Sequence, residues 1–234
     1  MSRISHLQHF YSLLAELEEH LGGARQLSDC SGWLPWPNRG VYFFMEPGEI
    51  RTHSGRGSRI VRVGTHALIP RSKSTLWQRL SQHRGTARTG GGNHRGSVFR
   101  QIVGTALIER DVHDCPSWDD GRNNAKRKVK DREQPLEREV SRLIREMPFL
   151  WLSVTDEPGP RSLRGYIERN AIALLSNYDK TPIDPPSDSW LGSHCTREKV
   201  RASGLWNSNH VNEEYDPAFL VTLGSLVERM REPP

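Results

Sequence analysis

Apolar and polar positions alternate in two distinct rhythms along this chain. Ile4, Leu7, Tyr11, Leu14 and Leu21 recur at the helical period and Gly22-Gly23 stops the run, which predicts an amphipathic helix over residues 4–21. After a Pro/Trp/Gly loop (32–40), Val41-Tyr42-Phe43-Phe44 is a short β-type run broken by Pro47-Gly48. A second, Arg59-Ile60-Val61-Arg62-Val63, ends at Gly64, and the pair predicts a hairpin with residues 47–58 as a long polar connection. Helices are expected over 74–84, from Val98 through Leu107, near 135–147, over 162–177 and over 217–231. Phe149–Val154 is the third strand candidate. Residues 85–96, rich in Gly, Arg and Thr, read as an exposed loop. Residues 119–134 lack apolar periodicity and read as a mobile basic segment, and 179–216 as loop. Three short strands among many helices predict an α+β domain with a small sheet.

With 234 residues, 35% of them hydrophobic and seven Trp, the chain can bury one sizeable core, so residues 1–234 are expected to form a single domain. It holds no apolar run of 18 residues and no secretory signal, so no membrane partner is expected. Cys30, Cys115 and Cys195 are odd in number and far apart, which argues against a disulfide framework or a structural zinc. A reduced, soluble, cytoplasmic protein is the expectation.

Charge changes the picture more. Between Arg51 and Arg100 there is no Asp or Glu, but there are ten Arg, Lys73 and four His. The rest of the chain carries 22 basic against 28 acidic residues, so the net charge of +5 hides a sharp segregation. Clustered arginine raises local potential and favours bidentate contact with phosphate, which points to nucleic acid, although a solvated basic surface gives the same count.

Within and beyond this window lie candidate groups for phosphodiester chemistry. Tyr42 alternates with Val41 and Phe43 and so faces the other side of its strand. Arg79 and His83 are four apart on one helix and project from one side. Glu168 sits among Ala171, Ile172 and Leu175, where a carboxylate must be paired, protonated or bound to a cation; a salt bridge to Arg164, one turn earlier, is the plain alternative. The loop 85–96 lacks the spacing of a phosphate-cradling P-loop and reads as a flexible DNA-tracking segment. Lys126, Arg127, Lys128 and Lys130 could add phosphate contacts or be a solvated surface, and Trp190, Trp206 and His210 are left without a role.

The order of these features resembles the GIY-YIG nuclease superfamily. Gly40-Val41-Tyr42 stands where its first motif belongs, Arg62-Val63-Gly64 where the second does, followed by helices bearing Arg79 and Glu168. The resemblance covers roughly 39–180, with 1–38 as an N-terminal helix and loop, the basic insertion near 119–134, and 181–234 as a C-terminal elaboration. The Arg79-x-x-x-His83 spacing further resembles the branch with restriction endonucleases such as Eco29kI.

That resemblance implies a three-stranded antiparallel sheet flanked by helices, with further helical elaborations at both ends, and a metal-dependent DNA endonuclease of the restriction or defence kind. Tyr42 would activate the attacking water, Arg79 would bind the scissile phosphate, His83 would assist proton transfer, and Glu168 would hold Mg²⁺ or another divalent cation. Asn177 matches the family's trailing Asn, with Asn170 as a structural alternative. Arg62 replaces the second motif's Tyr, so a mechanism needing two tyrosines is in doubt, and His66 is a substitute proton carrier. Arg56, Arg59, Arg84, Arg88, His94 and Arg95 are candidate DNA contacts. RNA is left open as a substrate and a homodimer as the assembly; a non-catalytic nucleic-acid-binding module and a repair-directed nuclease are the competing readings.

Overall fold

A computed structural model describes residues 2–121 and 124–231. Helix α1 (Arg3–Leu21) starts where the Ser2 side chain accepts from the Ser5 N–H, and stops at Gly22 in the left-handed region. A two-residue strand β1 (Arg25–Gln26) leads to the long hairpin strands β2 (Gly40–Ile50) and β3 (Ser58–Gly64). Next come α2 (Leu76–Arg84), α3 (Val98–Asp111), α4 (Arg127–Glu146) and β4 (Pro148–Ser153). The chain then forms α5 (Leu163–Leu175), α6 (Glu198–Ser203) and α7 (Phe219–Arg229). The sheet runs β1-β4-β2-β3 and is antiparallel throughout, so a short fourth strand joins the three expected.

Side-chain alternation on β2 divides the interior in two. Val41 and Phe43 face a core completed by α1, α5 and α7, through Phe10, Leu14, Ile167, Ala171 and Leu223. Tyr42 and Phe44 face the other, with Leu80 of α2, Phe99 and Val103 of α3, and Val140 of α4. The phenol of Tyr42 is therefore held in a closely packed apolar layer rather than on a rim.

Four expectations are corrected. Strand β2 does not stop at Pro47-Gly48; it continues to Ile50 across register shifts on either side of Met45, and the connection shortens to 51–57. Pro47 lies in that irregular stretch, where no ladder N–H is required of it. Residues 127–134 are not an unstructured tail but the first two turns of α4. Its buried stripe is Glu133, Leu136, Glu137, Val140, Ser141 and Ile144, so two carboxylates continue the apolar face and hide the helical period. The Gly-rich stretch is only partly exposed, because Gly85, Gly91 and His94 are buried and residues 94–96 form a turn of 3-10 helix. Finally, 179–216 contains α6 and a further 3-10 turn, Leu191–His194.

The C-terminal third is fastened to the hairpin. The indole N–H groups of Trp190 and Trp206 both donate to Glu46 Oε2, at 3.0 and 2.8 Å. Burial pushes this carboxyl above its ordinary value even though both indoles favour its charged form. The Trp206 N–H also donates to the Val61 carbonyl, and Asn207 bonds both the N–H and the carbonyl of Val63. Residues 206–207 thus cover the free edge of β3, which would otherwise present unpaired backbone groups.

Candidate active site

Two glycines explain how a tyrosine reaches this position. Tyr42 and Gly64 are register partners, and a Cβ on Gly64 would lie 2.4 Å from the phenol oxygen. A Cβ on Gly40 would lie 2.4 Å from the Leu152 carbonyl, so only glycine lets β2 and β4 approach this closely. Both motif glycines are therefore steric requirements of the site.

The phenol oxygen lies 2.7 Å from His83 Nε2, and both side chains are wholly buried. α2 is fixed at its start by a Thr75–Gln78 capping box, which sets the rotation that brings His83 in. His83 Nδ1 is 2.8 Å from Ser97 Oγ. Burial, then the charges of Arg79, Arg62 and Arg100, hold the imidazole well below its ordinary pKa, so it is neutral at pH 7.

Arg62 replaces the second motif tyrosine with a buried cation. Its guanidinium lies 4.5 Å from the centre of the Phe99 ring, donates to the Trp206 carbonyl, and feels the charges of Tyr42, Arg79 and Glu168. Arg79 is half-buried and donates to Gln82 Oε1 at 3.0 Å and to the Gly96 carbonyl at 3.2 Å. Among the described residues, neither guanidinium has a carboxylate within salt-bridge distance. An Arg held by carbonyls alone keeps its full charge available to an arriving anion.

Glu168 stands on α5 and accepts from the Thr65 N–H at 3.1 Å, its only hydrogen bond among the described residues. The expected alternative partner is engaged elsewhere: Arg164 pairs with Asp156 and donates to the Ala67 carbonyl. Burial pushes the Glu168 carboxyl above its ordinary value; Arg62, His210, the Thr65 bond and Arg79 pull it partly back. Tyr42, Arg62, Arg79, His83 and Glu168 thus converge at the Gly64 end of the hairpin.

Among the described residues, the other candidates make their hydrogen bonds outside this group. Asn177 follows the end of α5; its Oδ1 accepts from Arg3 and from the Ile183 N–H, which ties loop to helix. Asn170 donates to the Tyr166 carbonyl and accepts from the Asp216 N–H, a structural role. His66 Nδ1 faces the Ser74 carbonyl at 3.1 Å, leaving Nε2 buried without a partner; burial and Arg164 push its pKa down to about 4.

The expected DNA contacts divide. Arg56 and Arg88 are exposed. Arg59 is buried against Glu49 at 2.6 Å, and Arg84 donates to the Cys30 carbonyl and stacks on Trp77. Arg95 pairs with Glu133, and His94 with Glu137 while stacking on Trp118 at 3.9 Å. Reasoning on sequence missed Ser97 and Thr65 and left Trp206 without a role. The signal for Ser97 was present: a Ser just before the Val98 periodicity is where an N-cap belongs.

A small antiparallel sheet flanked by helices, with a buried tyrosine, two arginines unpaired by carboxylates and a half-buried glutamate at one end, defines a class of phosphodiester-directed proteins. A family model described as the GIY-YIG domain matches residues 1–233, and the chain belongs to that nuclease family. No curated protein and no solved structure gives a significant match. Among the described residues no helix is long and apolar enough to cross a membrane.

Proposed function

We propose that the protein is a divalent-metal-dependent DNA endonuclease of the restriction or defence kind, in the branch that includes Eco29kI. The convergence of Tyr42, Arg62, Arg79, His83 and Glu168 carries this reading, because phosphodiester hydrolysis needs a proton acceptor, anion compensation and help for a departing oxygen. Tyr42 is the proton acceptor for the attacking water and His83 its buried partner. Arg79, half-buried and bonded only to neutral oxygens, turns to the scissile phosphate. Arg62, fixed by the Trp206 carbonyl, compensates charge beside Tyr42 and stands in for the missing tyrosine.

The donor chemistry fits a hard cation. Glu168 offers a carboxylate with one bond from Thr65 and no paired cation, and Mg²⁺ is commonly held by one or two carboxylates, waters and substrate phosphate. When bound there, the metal supplies Lewis-acid stabilisation of the leaving oxygen. The resemblance to Eco29kI supports the branch through Arg79 and His83 at i,i+4.

Supercoiled plasmid incubated with Mg²⁺ tests the reading, with wild type compared with Glu168→Ala. Nicking by the wild type alone is expected, with discrete bands on linear DNA if the enzyme is a restriction nuclease. DNA retention without nicking by wild type would instead support a non-catalytic binding module, and preference for branched substrate a repair nuclease.

A further inference from the structure

Residues 31–37, Ser-Gly-Trp-Leu-Pro-Trp-Pro, hold two tryptophans with opposite fates. Trp36 faces inward: its indole N–H donates to the Ser31 carbonyl at 2.8 Å, and its ring stacks 5.3 Å from Trp77 of α2 and packs on Phe149 and Trp151 of β4. Gly32 lies against the same α2 indole, where a Cβ would be 2.8 Å from Trp77 Nε1. The Cys30 carbonyl before the loop accepts from Arg84, and the Asn38 carbonyl after it accepts the Leu76 N–H at 3.0 Å. The loop is thus fastened to α2 at both ends. Trp33, which it carries, is nevertheless 97% exposed, its backbone N–H bonded to Ser31 Oγ at 3.3 Å. Among the described residues its indole has no ring or hydrogen-bond partner, an unusual state for the largest apolar side chain.

What such a side chain meets is set by its surroundings. None of the other exposed large apolar side chains belongs to this loop or to α2, so Trp33 is a single apolar point and not part of a patch that docks a protein. The surface around it is cationic. Arg25 lies over Trp151, Arg39 follows Asn38, and Arg84 lies 4.9 Å from the centre of the Trp77 ring. Among the described residues none of the three has a carboxylate within salt-bridge distance. Asp29, the one acid between Gly22 and Met45, accepts from Ser28 Oγ at 3.2 Å. Helix α2 has no acid either, and Gln78 and Gln82 are the exposed residues of its outer ridge. Trp77 and Arg79 stand roughly 200° apart about its axis, so the loop and Arg79 flank one helix about 10 Å wide.

We propose that Trp33 stacks on a base of duplex DNA laid across α2, opening a base step on one flank of the helix while Arg79 meets a phosphate on the other. A flat apolar ring matches the face of any base, and an indole held by a fastened loop loses little freedom on insertion. The unanswered guanidiniums around it favour the strand that carries the base. The contact rests on the reading of this face as a DNA surface; it does not need Tyr42 or Glu168 to carry out hydrolysis.

The test uses the full chain without metal and a duplex carrying 2-aminopurine at regular intervals, so that no recognition sequence need be known. Wild-type binding should raise the 2-aminopurine fluorescence, because the probe brightens when it is unstacked. Trp33→Ala should abolish that rise and weaken binding on the order of 10-fold, with an unchanged slope of log K against log salt, since an indole neutralises no phosphate. Trp33→Phe keeps a ring and should recover most of the affinity. Melting temperature and sedimentation of Trp33→Ala should match wild type. Wild-type affinity in Trp33→Ala, a fluorescence rise that survives the substitution, or a changed oligomeric state in that variant overturns the proposal; the last would make the indole a contact between copies. Retention and brightening of the duplex by a wild type that does not nick plasmid in Mg²⁺ would remove the nuclease reading and leave the stacking contact. Nicking without brightening would do the reverse, and no retention of duplex by wild type would overturn both.

Discussion

The Tyr42 cluster and the His94 cluster draw on the same acid-free stretch and the same side-chain types, yet end with opposite electrostatics. Around His94, the carboxylates of α4 answer the arginines: Glu137 takes Arg100 and a bond from His94, and Glu133 takes Arg95 at 2.6 Å. Burial pushes both carboxyls up, but the bonds from His94, Arg100 and Arg95 outweigh it and hold them below their ordinary values. Around Tyr42, Arg62 and Arg79 have no such answer, and the one carboxylate, Glu168, is held above its ordinary value by burial. Both clusters are half-buried or deeper, so burial alone does not separate them. What does is whether protein carboxylates neutralise the cations: where they do, the cluster holds elements together; where they do not, charge is left for a ligand.

The sharpest break of this comparison is in activity. Arg79→Ala and Tyr42→Phe should each lower the nicking rate by on the order of 10²–10³-fold, while thermal melting stays near wild type. A Tyr42→Phe protein that nicked normally would place the proton acceptor elsewhere. So would a melting point that fell in step with activity.

Next come the two glutamates, which should move stability in opposite directions. Glu137→Ala strands Arg100 and His94 in a dry interior and should cost about 3–5 kcal/mol in urea unfolding. Glu168→Ala removes a group whose ionised form folding disfavours, so its stability should hold or rise at pH 7 although nicking is lost. Loss of stability in both would mean that Glu168, too, is a structural partner.

How far these clusters could be read from sequence follows from the same contrast. Tyr42, Gly64, Arg79 and Glu168 each carry a local signal: strand alternation, a strand-ending glycine, helix spacing and a carboxylate on an apolar face. The pairing of His94 and Arg95 with α4 had none. Glu133 and Glu137 sit 38 and 43 residues away from their partners, and their charge disguised the very stripe that buries them. Arg62 could be seen as a departure from the second motif, but not that the Trp206 carbonyl fixes it, because that contact spans 144 residues. Trp190 and Trp206 looked unassigned for the same reason: their common acceptor, Glu46, lies on the opposite side of the chain's sequence and just before the acid-free stretch.

Acid should weaken the surroundings of His66 and His83 before the His94 cluster. A histidine whose folded pKa is depressed contributes stability that is present above its unfolded value and lost as pH falls toward the folded one. For His66 that window runs from about 6.5 down to about 4, and the buried His83 adds to the loss in the same direction. Glu133 and Glu137, held low, begin to cost stability only as pH falls into the ordinary carboxylate range, where the unfolded chain takes up protons and the folded one does not. Melting temperature should therefore already decline between pH 6.5 and 5, and His66→Gln, which can still donate to the Ser74 carbonyl, should flatten that decline. An unchanged decline in this variant would remove His66 from the account.

The smallest effects separate free cations from paired ones on the surface. Arg56 and Arg88 are exposed and, among the described residues, no carboxylate lies within salt-bridge distance of either. Each releases roughly one phosphate counterion on binding, so Arg56→Ala or Arg88→Ala should reduce the slope of log K against log salt by about 1. Arg59 and Arg95 belong to the same acid-free stretch but spend their charge on Glu49 and Glu133. Their alanine variants should leave the slope alone and lower stability instead, because each strands a buried carboxylate. If Arg59→Ala lowered the slope as much as Arg88→Ala, ion pairing inside the protein would not decide which cations meet DNA, and the contrast between the clusters would fail at its weakest point.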